Sequence, residues 1–205
     1  MYIKTLAITL TAATIIGCAC VDREFRTLNN LDKTNLTSEN WPWNGVAPQK
    51  PKKWKGLIPV KINGIARAED AINRIEEKLG RQLFDRETIS DLSDEKIVRG
   101  IIVSHGTAVA PKMDKHTCGN VGDAPNSYAY PRNFLKSTGE IDTVLYVNLG
   151  SPFCDDSQCG DSPSDIAVHE FGHALGLGQH FQGFGEGPII SDDFWDVLTA
   201  LYNAG

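Results

Sequence analysis

Apolar residues recur at helical spacing between positions 67 and 79. Ala68, Ala71, Ile72, Ile75 and Leu79 share one face, and Glu69, Asp70, Glu76, Glu77 and Lys78 take the other. Gly80 follows and is predicted to close this helix. Three short runs rich in β-branched residues read as strands, at 57–62, 97–103 and 143–149. Pro59 cannot donate to a strand ladder, so it points to an edge or a bulge in the first run, which Asn63-Gly64 ends. Val168, Phe171 and Leu175 again repeat at helical spacing. Ahead of them, Ser162-Pro163-Ser164-Asp165 reads as a helix start: Ser162 as N-cap, Pro163 in the first helical position, Asp165 at the positive end of the dipole. A helix is therefore predicted over 163–175. A last one is predicted from the cap at Ser191-Asp192-Asp193 through Tyr202, packed by Phe194, Trp195, Leu198 and Leu201.

Other stretches lack such patterning. Residues 21–54, rich in Asn, Thr, Lys and Pro, read as a tether, with Trp41 and Trp43 docking back on the domain. Residues 106–140 read as irregular, and His105 and His116 as solvent or turn histidines. Residues 181–188 form a glycine-rich turn. The 205 residues, 41% of them hydrophobic, suit one globular domain. A net charge of -6 argues against nucleic acid as a partner, and Lys50-Pro51-Lys52-Lys53 reads as a solvated linker. At the N-terminus, Lys4 precedes an apolar stretch over 6–17 that is short for a membrane span and reads as a cleaved export signal.

The chemistry is concentrated in residues 168–180, V-H-E-F-G-H-A-L-G-L-G-Q-H. Histidines four apart on a helix lie one turn from each other on one face, so His169 and His173 can present nitrogens to one metal ion. Glu170 is rotated by roughly 100° from His169, within reach of a water at the metal without being a ligand, and is the candidate general base. Gly176 can stop the helix in a left-handed conformation and let the chain return with a third ligand, for which His180 is the next candidate.

This stretch resembles the zinc signature H-E-x-x-H-x-x-G-x-x-H of the metzincin peptidases, in particular their matrixin-like and astacin-like branches. His169, Glu170, His173 and Gly176 match position for position. Gln179 stands at the family's third-ligand position and His180 comes one residue later. The family's methionine turn has no counterpart, because Met1 and Met113 both lie upstream. The resemblance implies an α+β catalytic domain over 55–205: a mixed twisted sheet, an N-terminal helix, a zinc-binding active-site helix and a short C-terminal subdomain. It further implies one catalytic Zn2+ and a zinc endopeptidase acting on protein or peptide substrates. Glu170 would take a proton from the attacking water and pass it to the leaving amine. In the family an edge strand pairs with an extended substrate, a role residues 127–131 can fill. For the third ligand, imidazole is a better zinc donor than a neutral amide, which favours His180. Gln179 and Asp193, the latter twenty residues after His173, stay open. Phe184 or Ile190 is expected to supply the apolar floor that the methionine turn would have given.

Ile15-Ile16-Gly17-Cys18 resembles a bacterial lipobox. It implies a signal peptide over 1–17, lipid on Cys18 and a tether over 18–54. Ala19 suggests sorting to the outer membrane or cell surface. The mature protein is then exported, membrane-anchored through lipid, and expected to be a monomer. Cys20, Cys118, Cys154 and Cys159 remain, and four cysteines allow three pairings. Cys118-Gly119-Asn120-Val121-Gly122 looks like the astacin-type stretch whose cysteine pairs with one shortly before the zinc helix, which implies Cys118 with Cys159. A second zinc site from His116, Cys118, Cys154 and Cys159 is the alternative. A rival function from another class is an inactive surface lipoprotein whose zinc site is structural and which binds a partner. No G-x-S-x-G nucleophile signal is present.

Overall fold

The computed structural model describes residues 12–36, 51–105, 119–125, 138–150 and 163–203. Among these residues four α-helices, α1 (Ala12–Leu31), α2 (Ala66–Leu79), α3 (Pro163–Ala174) and α4 (Asp192–Asn203), accompany a five-stranded sheet. Its strands are β1 (Ile58–Lys61), β2 (Phe84–Asp85), β3 (Gly100–Ser104), β4 (Asn120–Gly122) and β5 (Val144–Asn148), in the order β2-β1-β3-β5-β4. All neighbours run parallel except β4, which pairs antiparallel with β5 at the edge. The fold is thus α+β with a mixed sheet.

Parallel strands are usually buried on both faces, and β3 follows that rule: Gly100, Ile101, Ile102 and Val103 are all buried. One face meets the main core, where α2 contributes Ala68, Ala71, Ile72, Ile75 and Leu79. The other is covered by Ile89 and Ile97 around Ile102. Helices α2 and α3 pack together, and Arg74 bridges them to Asp165 at 3.0 Å. Val168 and Phe171 of the α3 rear face, and Leu175 just past its end, are fully buried, leaving the histidine face to the cleft. Gly80 closes α2 in the left-handed conformation, and Ser191 Oγ accepts the Asp193 amide at the start of α4 at 3.2 Å.

Three expectations are corrected. The stretch read as a tether, 18–54, contains most of helix α1, which packs on α4 through Arg23 to Asp196 (2.5 Å) and Arg26 to Asp193 (3.1 Å). Its later described part also joins the domain: Trp54 is buried and its indole N–H donates to the Ala174 carbonyl at 2.8 Å. The reason lies in partners more than a hundred residues away, which local periodicity does not register. Lys52, read as part of a solvated linker, is fully buried, and burial pulls its pKa down to about 7. Pro59, read as an edge or bulge residue, is not at an edge: it lies on a strand flanked on both sides. It falls one residue ahead of the first β1–β3 pair, Val60 with Ile101, so its missing N–H removes nothing from that pair. Residues 16–18, Trp41, Trp43, His116, Cys118, the 127–131 segment, Cys154, Cys159 and Ser162 either lie outside the described residues or have undescribed side chains.

Candidate metal centre

Helix α3 carries His169 and His173 toward an open cleft of about 520 Å3, lined also by Gly119, Asn120, Val121, Glu170, Gln179, His180 and Glu186. The helix ends as its spacing predicts. The Gly176 amide donates to the His173 carbonyl and the Leu177 amide to the Gly172 carbonyl, with Gly176 at φ +117°. The chain then reverses and brings His180 back over the two helical histidines.

The three Nε2 atoms form a near-equilateral triangle: 3.1 Å from His169 to His180, 3.1 Å from His173 to His169, and 3.2 Å from His173 to His180. Tetrahedral Zn–N bonds of about 2.0–2.1 Å set ligand nitrogens roughly 3.3–3.4 Å apart, so the donor set fits such an ion within a few tenths of an ångström. The His173 ring is fixed from behind, its Nδ1 donating to the Leu177 carbonyl at 2.6 Å. A carbonyl can only accept, so this bond puts the proton on Nδ1 and turns the Nε2 lone pair to the triangle. Burial, then the neighbouring histidines, holds His169 far below the usual imidazole range. Burial and then His180 bring His173 down to about 4, and burial lowers His180 against the opposing pull of Glu186. All three are therefore neutral at pH 7, the state a metal ligand requires.

Glu170 is buried beside the triangle, and burial raises its pKa to about 8. Its carboxylate packs on the start of edge strand β4: a Cβ on Gly119 would lie 2.5 Å from Glu170 Cγ and 2.9 Å from Oε1. Only glycine lets the strand come this close.

The floor beneath the histidines is aromatic. In the turn formed by β6 (Phe181–Gln182) and β7 (Gly185–Glu186), Phe181 and Phe184 exchange backbone hydrogen bonds at 3.0 and 2.8 Å. This holds the Phe184 ring stacked on His169 at 4.4 Å and 4.8 Å from His173, with Phe194 stacked behind it at 5.2 Å. Gly185 completes the wrap at φ +75°, where a Cβ would meet the His180 ring at 2.6 Å. Of the two floor candidates, Phe184 occupies the position.

His169, His173, His180 and Glu170 are thus brought together. Asp193 is not: it stands at the start of α4, paired with Arg26 at 3.1 Å. Gln179 borders the cleft, but its backbone amide and carbonyl are both bonded to Thr34 Oγ1. Among the described residues, the histidine trio is the group of side chains able to hold a metal ion. His105 is exposed at the end of β3. Sequence reasoning missed Glu186, which places a second carboxylate on the cleft wall; an acidic residue inside a glycine-rich turn was the available signal. No family model, curated protein or solved structure matches the chain.

Proposed function

We propose that the protein is a zinc-dependent endopeptidase, a divergent relative of the metzincins. The observation that carries this reading is the convergence of three neutral imidazoles on one point with a buried, non-ligating carboxylate beside it. A site built only to stabilise the fold closes its coordination with four protein groups, whereas the three ligands found among the described residues face an open cleft, which suits catalysis. A zinc ion held by His169, His173 and His180 would supply Lewis acidity, which polarises a carbonyl and acidifies water. Glu170 takes one proton from the water as its oxygen attacks the carbonyl carbon, then delivers it to the amine nitrogen as the C–N bond breaks. Burial alone favours the protonated form of Glu170, and the positive charge of a bound ion would favour the carboxylate that the first step requires. Strand β4 borders the cleft through Asn120 and Val121, and the substrate in this proposal is an extended, unfolded or loop segment of protein lying along it.

Export and lipid attachment at Cys18 belong to the same proposal and rest on the N-terminal sequence. Among the described residues no helix is long and apolar enough to cross a membrane. Cleavage ahead of Cys18 would leave the later part of α1 in place on α4. The membrane contact is then the lipid.

The test is cleavage of an unfolded protein by purified protein, before and after a chelator and after Zn2+ is restored. Activity lost with the chelator and regained with Zn2+ is expected. Zinc uptake without cleavage would favour the inactive, partner-binding lipoprotein instead.

A further inference from the structure

Two polar residues of the N-terminal segment are fully buried against the turn that carries His180. The Thr34 hydroxyl donates to the Gln179 carbonyl at 2.6 Å and accepts from the Gln179 amide at 3.1 Å, while the Thr34 carbonyl accepts from the Gly178 amide at 2.9 Å. One residue therefore holds three successive backbone groups of the turn. Asn35 holds its beginning: Nδ2 donates to the Gly176 carbonyl at 2.8 Å and to the Lys52 carbonyl at 2.9 Å, and Oδ1 accepts the Lys52 amide at 2.8 Å. The packing leaves no slack, since a Cβ on Gly176 would lie 2.4 Å from the Lys52 carbonyl oxygen.

A turn of five residues containing Gly176 and Gly178 has many backbone states, and fixing each residue costs about 1–2 kcal/mol of conformational entropy. Left alone, it can return either Gln179 or His180 to the two helical histidines. With both backbone groups of Gln179 bound to Thr34, the register is set and His180 falls over the triangle. We propose that Thr34 and Asn35 are positioning residues for the third metal ligand, so that the N-terminal segment is a working part of the metal site. The inference rests on reading His180 as a ligand of a bound ion. The hydroxyl of residue 34 is used as donor and acceptor at once, which serine can repeat and valine, of nearly equal shape, cannot. Partners that orient a ligand typically change metal affinity by about 10–100-fold when removed.

The experiment uses the full mature chain, metal-freed, with Co2+ and Zn2+ as probes. Co2+ binding is followed by its visible absorption bands, which report coordination geometry, and Zn2+ affinity by competition with a chelator. Thr34→Val should bind both metals about tenfold more weakly with altered Co2+ bands, and Thr34→Ser should restore parent affinity and spectrum. In the metal-free parent, the Gly178 and Gln179 amides should be protected from hydrogen exchange, a readout that holds even if Thr34→Val fails to fold. Unprotected amides, or parent-like affinity and bands in Thr34→Val, overturn this inference alone. A parent that takes up neither metal overturns the zinc reading and this inference with it.

Discussion

Replacing Gly172 by alanine sets two effects of opposite sign against each other in the last turn of α3. Helix propensity alone favours alanine by about 1 kcal/mol. The packing opposes it: the added Cβ would lie 2.8 Å from Phe194 Cε2 and 2.9 Å from Phe184 Cε2. Ordinary carbon contacts begin at about 3.5 Å, so each ring must retreat by roughly 0.6–0.7 Å. Neither has room, because Phe184 and Phe194 are fully buried and stacked on each other. Overpacking of this kind costs about 1–3 kcal/mol. The net expectation is a metal-free protein destabilised by about 1 kcal/mol. Displacing Phe184 also disturbs the ring it supports, His169, so Zn2+ affinity should fall by about tenfold. Urea unfolding in chelator measures the first effect and competitive Zn2+ titration the second. Adding Phe184→Leu should relieve part of the clash, making the double variant less destabilised than the sum of the singles. A Gly172→Ala protein about 1 kcal/mol more stable than the parent, as propensity alone dictates, would refute the account of the floor.

Among the ligand candidates, His180→Ala should lower Zn2+ affinity by about a hundredfold or more, while Gln179→Ala and Asp193→Ala stay close to the parent; equal losses at all three would undo the ligand assignment. Glu76 ties α2 to β2 by accepting the Leu83 and Phe84 amides and Arg86, each at 2.8 Å. Burial opposes its charge, but the hydrogen bonds from Arg86, Phe84 and Leu83 outweigh that and lower its pKa from 4.5. Its depressed folded value means that its stabilisation is present above pH 4.5 and is lost as pH falls through the folded pKa. Glu76→Ala should cost about 2–3 kcal/mol at pH 7 by denaturant titration, with the gap narrowing in acid; a constant gap would rule out the carboxylate as its source. Cys18→Ser should abolish lipid labelling and release the protein from membranes, and unchanged partitioning would count against the lipobox.

The site was more legible than the scaffold because its chemistry is local. Four matched positions inside eight residues, His169 to Gly176, specify a face, a base and a stop. The shift from Gln179 to His180 was readable only as a preference, since the residues that set the turn, Thr34 and Asn35, are over 140 positions away. Strands β2 and β4 are two and three residues long, too short to show a period, and exist because longer neighbours offer them a ladder. Helix α1 was missed for a related reason. Val21, Phe25 and Leu28 are exposed, and its described attachment runs through Leu31 and two arginine–aspartate pairs rather than a buried stripe. The aromatic floor was half legible: the glycine-rich turn marked the place, but choosing Phe184 over Ile190 required the backbone pairing of Phe181 with Phe184.

The central claim is that Glu170 and the histidine trio direct water at a peptide bond. Zinc-loaded protein should be incubated with an unfolded protein in water enriched in oxygen-18, and the new chain ends read by mass spectrometry. The account predicts internal cleavage with at least one heavy oxygen in each new carboxyl group, and essentially none from Glu170→Gln although it still holds zinc. An intact substrate after incubation with the zinc-loaded parent, or equal cleavage by Glu170→Gln, would contradict it.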